Sequence, residues 1–216
     1  MGFKPTWSKS PITNAQRDTI DQKPTFKEAF ATRRCLIPAS GFYEWVDFNG
    51  GRQPVLFTLA DEKPFFFGGL WSTKEPPVHF VIMTAPANQF VRAVHNRMPL
   101  IIDPKDYVAW LTPQGDAYKQ VLPTSEELKT IWVDRKISNS RNDNEESARP
   151  LTATVETLQG AYALPEGLPQ KATVKIVGFH TGTFTVEFEG KKFEVLSACV
   201  RRHGSGEGTI PRCLHK

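Results

Sequence analysis

Cysteine is scarce in this sequence, and its placement excludes two classes at once. The three residues Cys35, Cys199 and Cys213 are far apart, odd in number and outside any C-x-x-C spacing, so neither a disulfide scaffold nor a structural zinc site is indicated. A reducing cytoplasm is the expected compartment. Long hydrophobic runs are missing too: no stretch approaches the ~18 uncharged apolar residues of a membrane span, and the opening MGFKPTWSKS has no apolar leader. No membrane association is expected. Charge of one sign is hardly in excess, with 27 Lys and Arg against 23 Asp and Glu, a net of +4. Such a balance allows a nucleic-acid groove without demanding one. The sequence shows no internal repeat.

What remains is an ordinary globular composition, 39% apolar and 23% charged over 216 residues, enough for one ample core or a core with a small appendage. After a polar start, TFKEAFATRR places Phe26 and Phe30 at i, i+4 and closes on Arg33-Arg34, the pattern of a short helix with cations at its C-terminal end. CLIPASGFYEWVDF and PVLFTLA flank Asn49-Gly50-Gly51 and read as a hairpin. PFFFGGLWS and HFVIMTAPA are short apolar runs with turn signals on each side, as buried strands are. NQFVRAV is helix-like and PLIID strand-like. DPKDYVAWL reads as a short helix with Asp103 as N-cap and Pro104 at its first position. TSEELKTIWVDRKIS reads as a helix start capped by Thr124 or Ser125, with a return to strand around TIWVDR. Composition shifts after RNDNEESARP. Residues 151–170 read as a linker and 203–216 as a flexible tail. Between them, over residues 171–202, KATVKIVGFH, TGTFTVEFEG and KKFEVLSACVRR alternate apolar and polar residues as a small β-meander. The fold class expected is α+β.

Three polar side chains stand where an apolar strand or its edge does not need them: Asn14 in PITNAQRDT, Glu44 in GFYEW and His95 in AVHNRMP. Side chains alternate along a strand, so Glu44 shares a face with Phe42. If that face is inward, the carboxylate is buried, its pKa rises toward neutrality and it can carry a proton. If Tyr43 and Trp45 are the inward pair, Glu44 is an ordinary solvated carboxylate. His95 reads either as a junction histidine or as a proton-transfer group, and Asn14 as a turn residue or a hydrogen-bonding group.

Taken in order, NAQRDT, CLIPASGFYEW, FVIMTAPAN, AVHNRMP and SNSRNDNEE resemble the SRAP family, the SOS-response-associated peptidases or abasic-site-processing proteins, over about residues 1–150. MGFKPTW is similar to that family's W-G-x-x-P-x-W segment, with Met1 at the first Trp. The resemblance implies an SRAP-type core over residues 1–150, a partly barrel-like mixed sheet with short helices, and no metal or organic cofactor. It also implies a partner, single-stranded DNA with abasic sites, and a reaction. A cysteine exposed by autoproteolysis as the mature N-terminal residue captures the ring-opened aldehyde of the abasic deoxyribose, first as a Schiff base and then as a thiazolidine crosslink. By resemblance, Glu44 assists amine attack and proton shuttling, His95 acts as general acid and base, and Asn14 hydrogen-bonds the adduct. Trp7, Trp45, Gln16, Arg17 and Arg97 are the DNA-contacting residues so implied. A nucleoid-associated cytoplasmic monomer of the DNA-damage response is expected, with any replication-associated partners unspecified.

Two departures from the family pattern bear on this reading. Gly stands at position 2 and the family's Met-Cys-Gly-Arg start is not in the sequence, so the nucleophile is expected from a segment upstream of Met1. Gln16 stands where the family commonly has Arg, and the cation moves to Arg17, which a strand turns to its other face. Cys35, in an apolar strand and without a free α-amine, is expected to be a structural thiol. The rival readings are a non-catalytic single-stranded-DNA-binding module and an inactive fragment. Lys191, Lys192, Arg201 and Arg202 offer either a second nucleic-acid contact or ordinary solvated charge.

Overall fold

The computed structural model describes residues 2–6, 8–48, 51–72, 78–113, 127–139, 141–142, 148–155, 164–180, 183–196 and 200–202. In chain order they form β1 (Asn14–Gln16), α1 (Pro24–Thr32), β2 (Arg34–Ala39), β3 (Phe42–Phe48), β4 (Gly51–Leu59), β5 (Phe65–Trp71) and β6 (Phe80–Pro86). These are followed by α2 (Gln89–Arg92), β7 (Arg97–Pro99), β8 (Ile101–Ile102), α3 (Tyr107–Leu111), β9 (Leu128–Trp132) and β10 (Thr152–Val155). The last strands are β11 (Thr173–His180), β12 (Thr183–Phe188), β13 (Lys191–Leu196) and β14 (Val200–Arg202). The class is α+β, rich in strands and with short helices. No helix among the described residues is long and apolar enough to cross a membrane. The chain divides into two compact units, Met1–Phe42 with Thr58–Leu128, and Tyr43–Phe57 with Lys129–Lys216.

The first unit is built on a mixed six-stranded sheet in the order β1-β6-β5-β2, with β7 added to β6 and β8 to β5. β5 is buried along nearly its whole length, as its run FFFGGLW dictates. Beyond their paired stretch β5 and β6 part, and the segment carrying β7 and β8 enters between them: Leu100 N–H donates to Met83 O at 2.8 Å while Gly68 N–H donates to Leu100 O at 2.8 Å. Gly68 permits the close packing this requires, because a Cβ there would lie 3.0 Å from Ile102 Cδ1 and from Trp110 Cζ2. The core joins Leu70, Val81, Met83, Leu100, Ile102 and Trp110 to Phe26 and Phe30 of α1.

α1 ends as its sequence requires, but by an unexpected device. Arg34, only 7% exposed at the start of β2, donates from Nη1 to Phe30 O and to Ala31 O (2.8 Å), from Nε to Trp110 O (2.6 Å) and from Nη2 to Thr112 O (2.6 Å). One guanidinium thus reaches carbonyls at the C-terminal ends of α1 and α3, where a helix runs out of N–H donors of its own.

The second unit holds the sheet β3-β4-β9 and a five-stranded antiparallel sheet in the order β13-β12-β11-β10-β14. Trp132 stacks edge-on against Phe184, with ring centroids 5.4 Å apart. Fully buried Gln53 donates to Val133 O at 2.7 Å, fixing β4 to the end of β9.

Several expectations change here. The run 35–48 is not one arm of a hairpin. It breaks at Ser40-Gly41 into β2, which pairs with β5, and β3, which pairs with β4. Residues 152–155, read as linker, are strand β10. The third meander run splits into β13 and β14, and β14 crosses to the far edge to pair with β10. The helix start at Thr124 or Ser125, the turn residues Asn49 and Gly50, and the tail lie outside the described residues.

Replacing Arg34 by Met keeps much of the side chain's volume but removes every donor. Unfolding stability should fall by about 3 kcal/mol or more, since several buried carbonyls lose charge-assisted partners together. Urea denaturation reads this directly, and a loss below about 1 kcal/mol would contradict the role assigned to Arg34.

Candidate functional site

β1 runs parallel to β6, with Asn14 opposite Ile82 and Gln16 opposite Thr84. Strand alternation buries Ala15 and leaves Asn14 and Gln16 exposed on one face. Both line a groove of about 580 Å3, whose other walls include Lys23, Thr25 and Phe26 at the start of α1. Arg17, the cation displaced by one position, is no longer in the strand. It opens a 3-10 helix, Arg17–Gln22, and burial lowers its pKa against the opposing pull of Asp18.

His95 follows the single turn α2, which Asn88 caps by accepting a hydrogen bond from Val91 N–H at 2.9 Å. The residue is exposed, yet its ring is oriented. Nδ1 lies 2.8 Å from Arg97 O and 3.2 Å from Arg97 N. The carbonyl contact suits a ring protonated at Nδ1, and the amide, whose N–H points at Nδ1, suits the other tautomer. Arg97 itself turns inward. Its Nη1 donates to Asp18 Oδ2 at 2.8 Å, and its Nη2 donates to Asp18 Oδ1 at 2.7 Å and to Thr84 O at 2.8 Å. The Arg97 side chain is 19% exposed. The hydrogen bond from Arg97 holds the Asp18 carboxyl below the usual carboxylate range, with further lowering from the charges of Arg97 and Arg17. Arg97, expected at the DNA backbone, therefore spends its fork within the chain.

Glu44 lies on β3 and is half-buried rather than enclosed, as are Tyr43 and Trp45, while Phe42 is buried. The choice between an inward Glu44 and an inward Tyr43–Trp45 pair resolves into neither extreme. Trp45 Nε1–H donates to Ser138 Oγ at 2.9 Å, which ties the GFYEW strand to the SNSRN segment. Asn14, Gln16, Arg17, His95 and Arg97 belong to the first unit, and Glu44 and Trp45 to the second. Trp7 lies outside the described residues.

Cys35 is half-buried in β2, and burial pushes its thiol up to about 11, the behaviour of a structural cysteine. Among the described residues no group of three or more His, Cys, Asp or Glu is placed to hold a metal ion. Sequence reasoning passed over two partners. Asp18 had a usable signal, an acid just past the NAQ strand in a sequence that also carries a basic H-x-R. Thr84 contributes through its backbone, for which sequence offers none.

Comparison with known proteins gives a consistent result. The family model described as SOS response associated peptidase (SRAP) matches residues 1–140. The chain is similar to the abasic site processing protein YoaM of Bacillus subtilis (strain 168), 30% identical over 161 residues that cover 67% of this chain and 71% of that protein. It is similar also to the abasic site processing protein YedK of Escherichia coli (strain K12), 26% identical over 161 residues, covering 69% of this chain and 72% of that protein. Among solved structures, a protein from Bacteroides thetaiotaomicron superposes with a TM-score of 0.54 at 26% identity, covering 64% of this chain and 66% of that one.

Two outcomes follow from the ionisation of these groups. With its thiol held near 11, Cys35 is about one part in a thousand thiolate at pH 8, so its alkylation, followed by peptide mass spectrometry, should run roughly 100-fold slower than that of free cysteine. Comparable rates would show that the thiol is not shielded. Asp18 has a depressed folded-state pKa, so its stabilising effect is present above the ordinary carboxylate value and is lost as pH falls through the folded value. The stability gap between the parent and Asp18→Asn should therefore be constant near neutrality and close in acid; a gap that widens on acidification would contradict this.

Proposed function

The chain belongs to the SRAP family, and from that premise we propose that it processes abasic sites in single-stranded DNA, with Asn14, Glu44 and His95 acting on the opened sugar of the lesion. The observation that carries this reading is the family match over residues 1–140, which contains all three positions. The relatives' names, abasic site processing proteins, support the substrate class.

The chemistry asks for little more than proton management. An amine adds to the sugar aldehyde, and the carbinolamine loses water only when its oxygen receives a proton, leaving a Schiff base. Addition of a thiol across the C=N bond then closes a thiazolidine and returns a proton to nitrogen. In this reading amine and thiol are those of an N-terminal cysteine, while position 2 of this sequence is Gly. On the same reading His95 exchanges the protons, and Glu44 assists the amine. Asn14, which lines the groove, hydrogen-bonds the adduct. A monomer acting on chromosomal DNA in the cytoplasm is the corresponding cellular picture.

The test is to incubate the chain with a single-stranded oligonucleotide bearing one abasic site, beside a version preceded by a family-type segment beginning Met-Cys, and to resolve both on a denaturing gel. A slow-migrating adduct is expected with the extended protein. In that background Glu44→Gln and His95→Gln should each slow adduct formation about 100-fold or more, and Asn14→Ala about tenfold, as for one lost hydrogen bond. A folded extended protein that binds the oligonucleotide without crosslinking would sink the covalent reading and leave a binding module.

A further inference from the structure

We propose that Arg97, clamped by Asp18, is a positioning residue: it holds His95 in the form protonated at Nδ1, with Nε2 as the nitrogen that exchanges protons. The Arg97 carbonyl, at 2.8 Å, accepts from a protonated Nδ1, whereas its amide N–H, at 3.2 Å, donates to an unprotonated one, and we take the shorter contact as the dominant one. Ring orientation therefore follows wherever the Arg97 peptide is held. Strand pairing alone holds it loosely, since Arg97 opens the three-residue strand β7, opposite Pro86 at the last position of β6. The side chain supplies the rest. Two parallel hydrogen bonds at 2.7 and 2.8 Å join its planar fork to Asp18, and a third at 2.8 Å reaches Thr84 O. Its Nε is buried without a hydrogen-bond partner, a cost that a solvated phosphate-binding arginine would not carry.

Thr84 makes this a corner rather than a single link. It pairs with Gln16 across β1 and β6 and also accepts from Arg97, while Asp18 lies two residues beyond Gln16. The ion pair consequently fixes the strand of Asn14 and the loop of His95 to one another. A lysine in place of Arg97 could keep the charge but not the two-pronged geometry. The catalytic meaning of the clamp rests on the reading of His95 as a proton-transfer group, whereas the ring's tautomer is measurable without DNA.

The experiment is a two-bond 1H–15N correlation spectrum of the 15N-labelled full chain, recorded where the imidazoles are neutral, with His95 assigned by the signal lost in His95→Gln. The parent should show the Nδ1–H pattern. Asp18→Asn should shift His95 toward the Nε2–H pattern with the other histidines unmoved, and Asp18→Glu, which restores the carboxylate, should return it. Should Asp18→Asn lose spectral dispersion, Arg97→Lys carries the same test. A His95 tautomer identical in the parent, Asp18→Asn and Arg97→Lys overturns the proposal. So does an unchanged tautomer accompanied by tighter single-stranded-DNA binding in Asp18→Asn, which would mark the carboxylate as a stand-in for a phosphate on Arg97. If His95 responds as expected in a protein that never crosslinks abasic DNA, the clamp stands and the reading of the reaction falls.

Discussion

Two helix C-termini meet one buried cation in this protein. Each brings its C-terminal carbonyls and the negative end of its dipole, and Arg34 answers both from the first residue of β2. An isolated guanidinium in a core costs several kcal/mol, so its presence there depends on the carbonyls as much as they depend on it. The arrangement is therefore closed: α1, α3 and β2 fix each other through a single group. Much of the first unit follows from that point. α1 must project Phe26 and Phe30 into the core, and its first turn must wall the groove beside Asn14 and Gln16. α3 must lay Trp110 over Gly68, with Trp110 Nε1–H donating to Cys35 O at 2.9 Å.

Much of this is legible in the sequence because it is local. Phe26 and Phe30 at helical spacing and the apolar runs of β5 and β6 each point to the element found, whereas Asp103 caps a 3-10 helix, Pro104–Asp106, that precedes α3 instead of α3 itself. Arg33-Arg34 was legible as a helix end, but the second helix that shares the cation lies 76 residues away from Arg34 and leaves no trace in a local pattern. The break at Ser40-Gly41 was hidden for the same reason. Continuous β-forming residues on both sides look like one strand, and only the sheets that receive β2 and β3 distinguish them. β10 was hidden by composition, since a four-residue strand among linker-like neighbours is shorter than any periodicity can reveal.

The site divides along similar lines. Asn14, Glu44 and His95 were picked out because polar residues interrupt apolar runs, and the resemblance added their roles. The state of Arg97 was beyond both sources. A basic residue in an exposed motif reads as available for a phosphate, and only the fold brings an acid from 79 positions earlier into its fork. Glu44 shows the opposite limit: alternation offered a clean choice between inward and outward, and the strand presents four consecutive half-buried residues, Tyr43 to Val46, instead. A strand near the rim of a sheet is not bound by the two-sided rule that governs its centre.

The chain passes between its two units three times, after Phe42, after Phe57 and after Leu128. During synthesis this has a temporal cost. β3 and β4 emerge early, yet β9, which completes their sheet, follows about seventy residues later, an interval of roughly 4–14 s at ribosomal rates of 5–20 residues per second. For that time β4, with Val55 and Phe57 among its apolar residues, presents an unpaired edge to whatever strand is nearest. The nascent chain is thus most exposed to mispairing and to chaperone capture in the window before residue 128 leaves the ribosome. The interleaving that lends the second unit its hairpin also makes the order of translation a part of how this fold is reached.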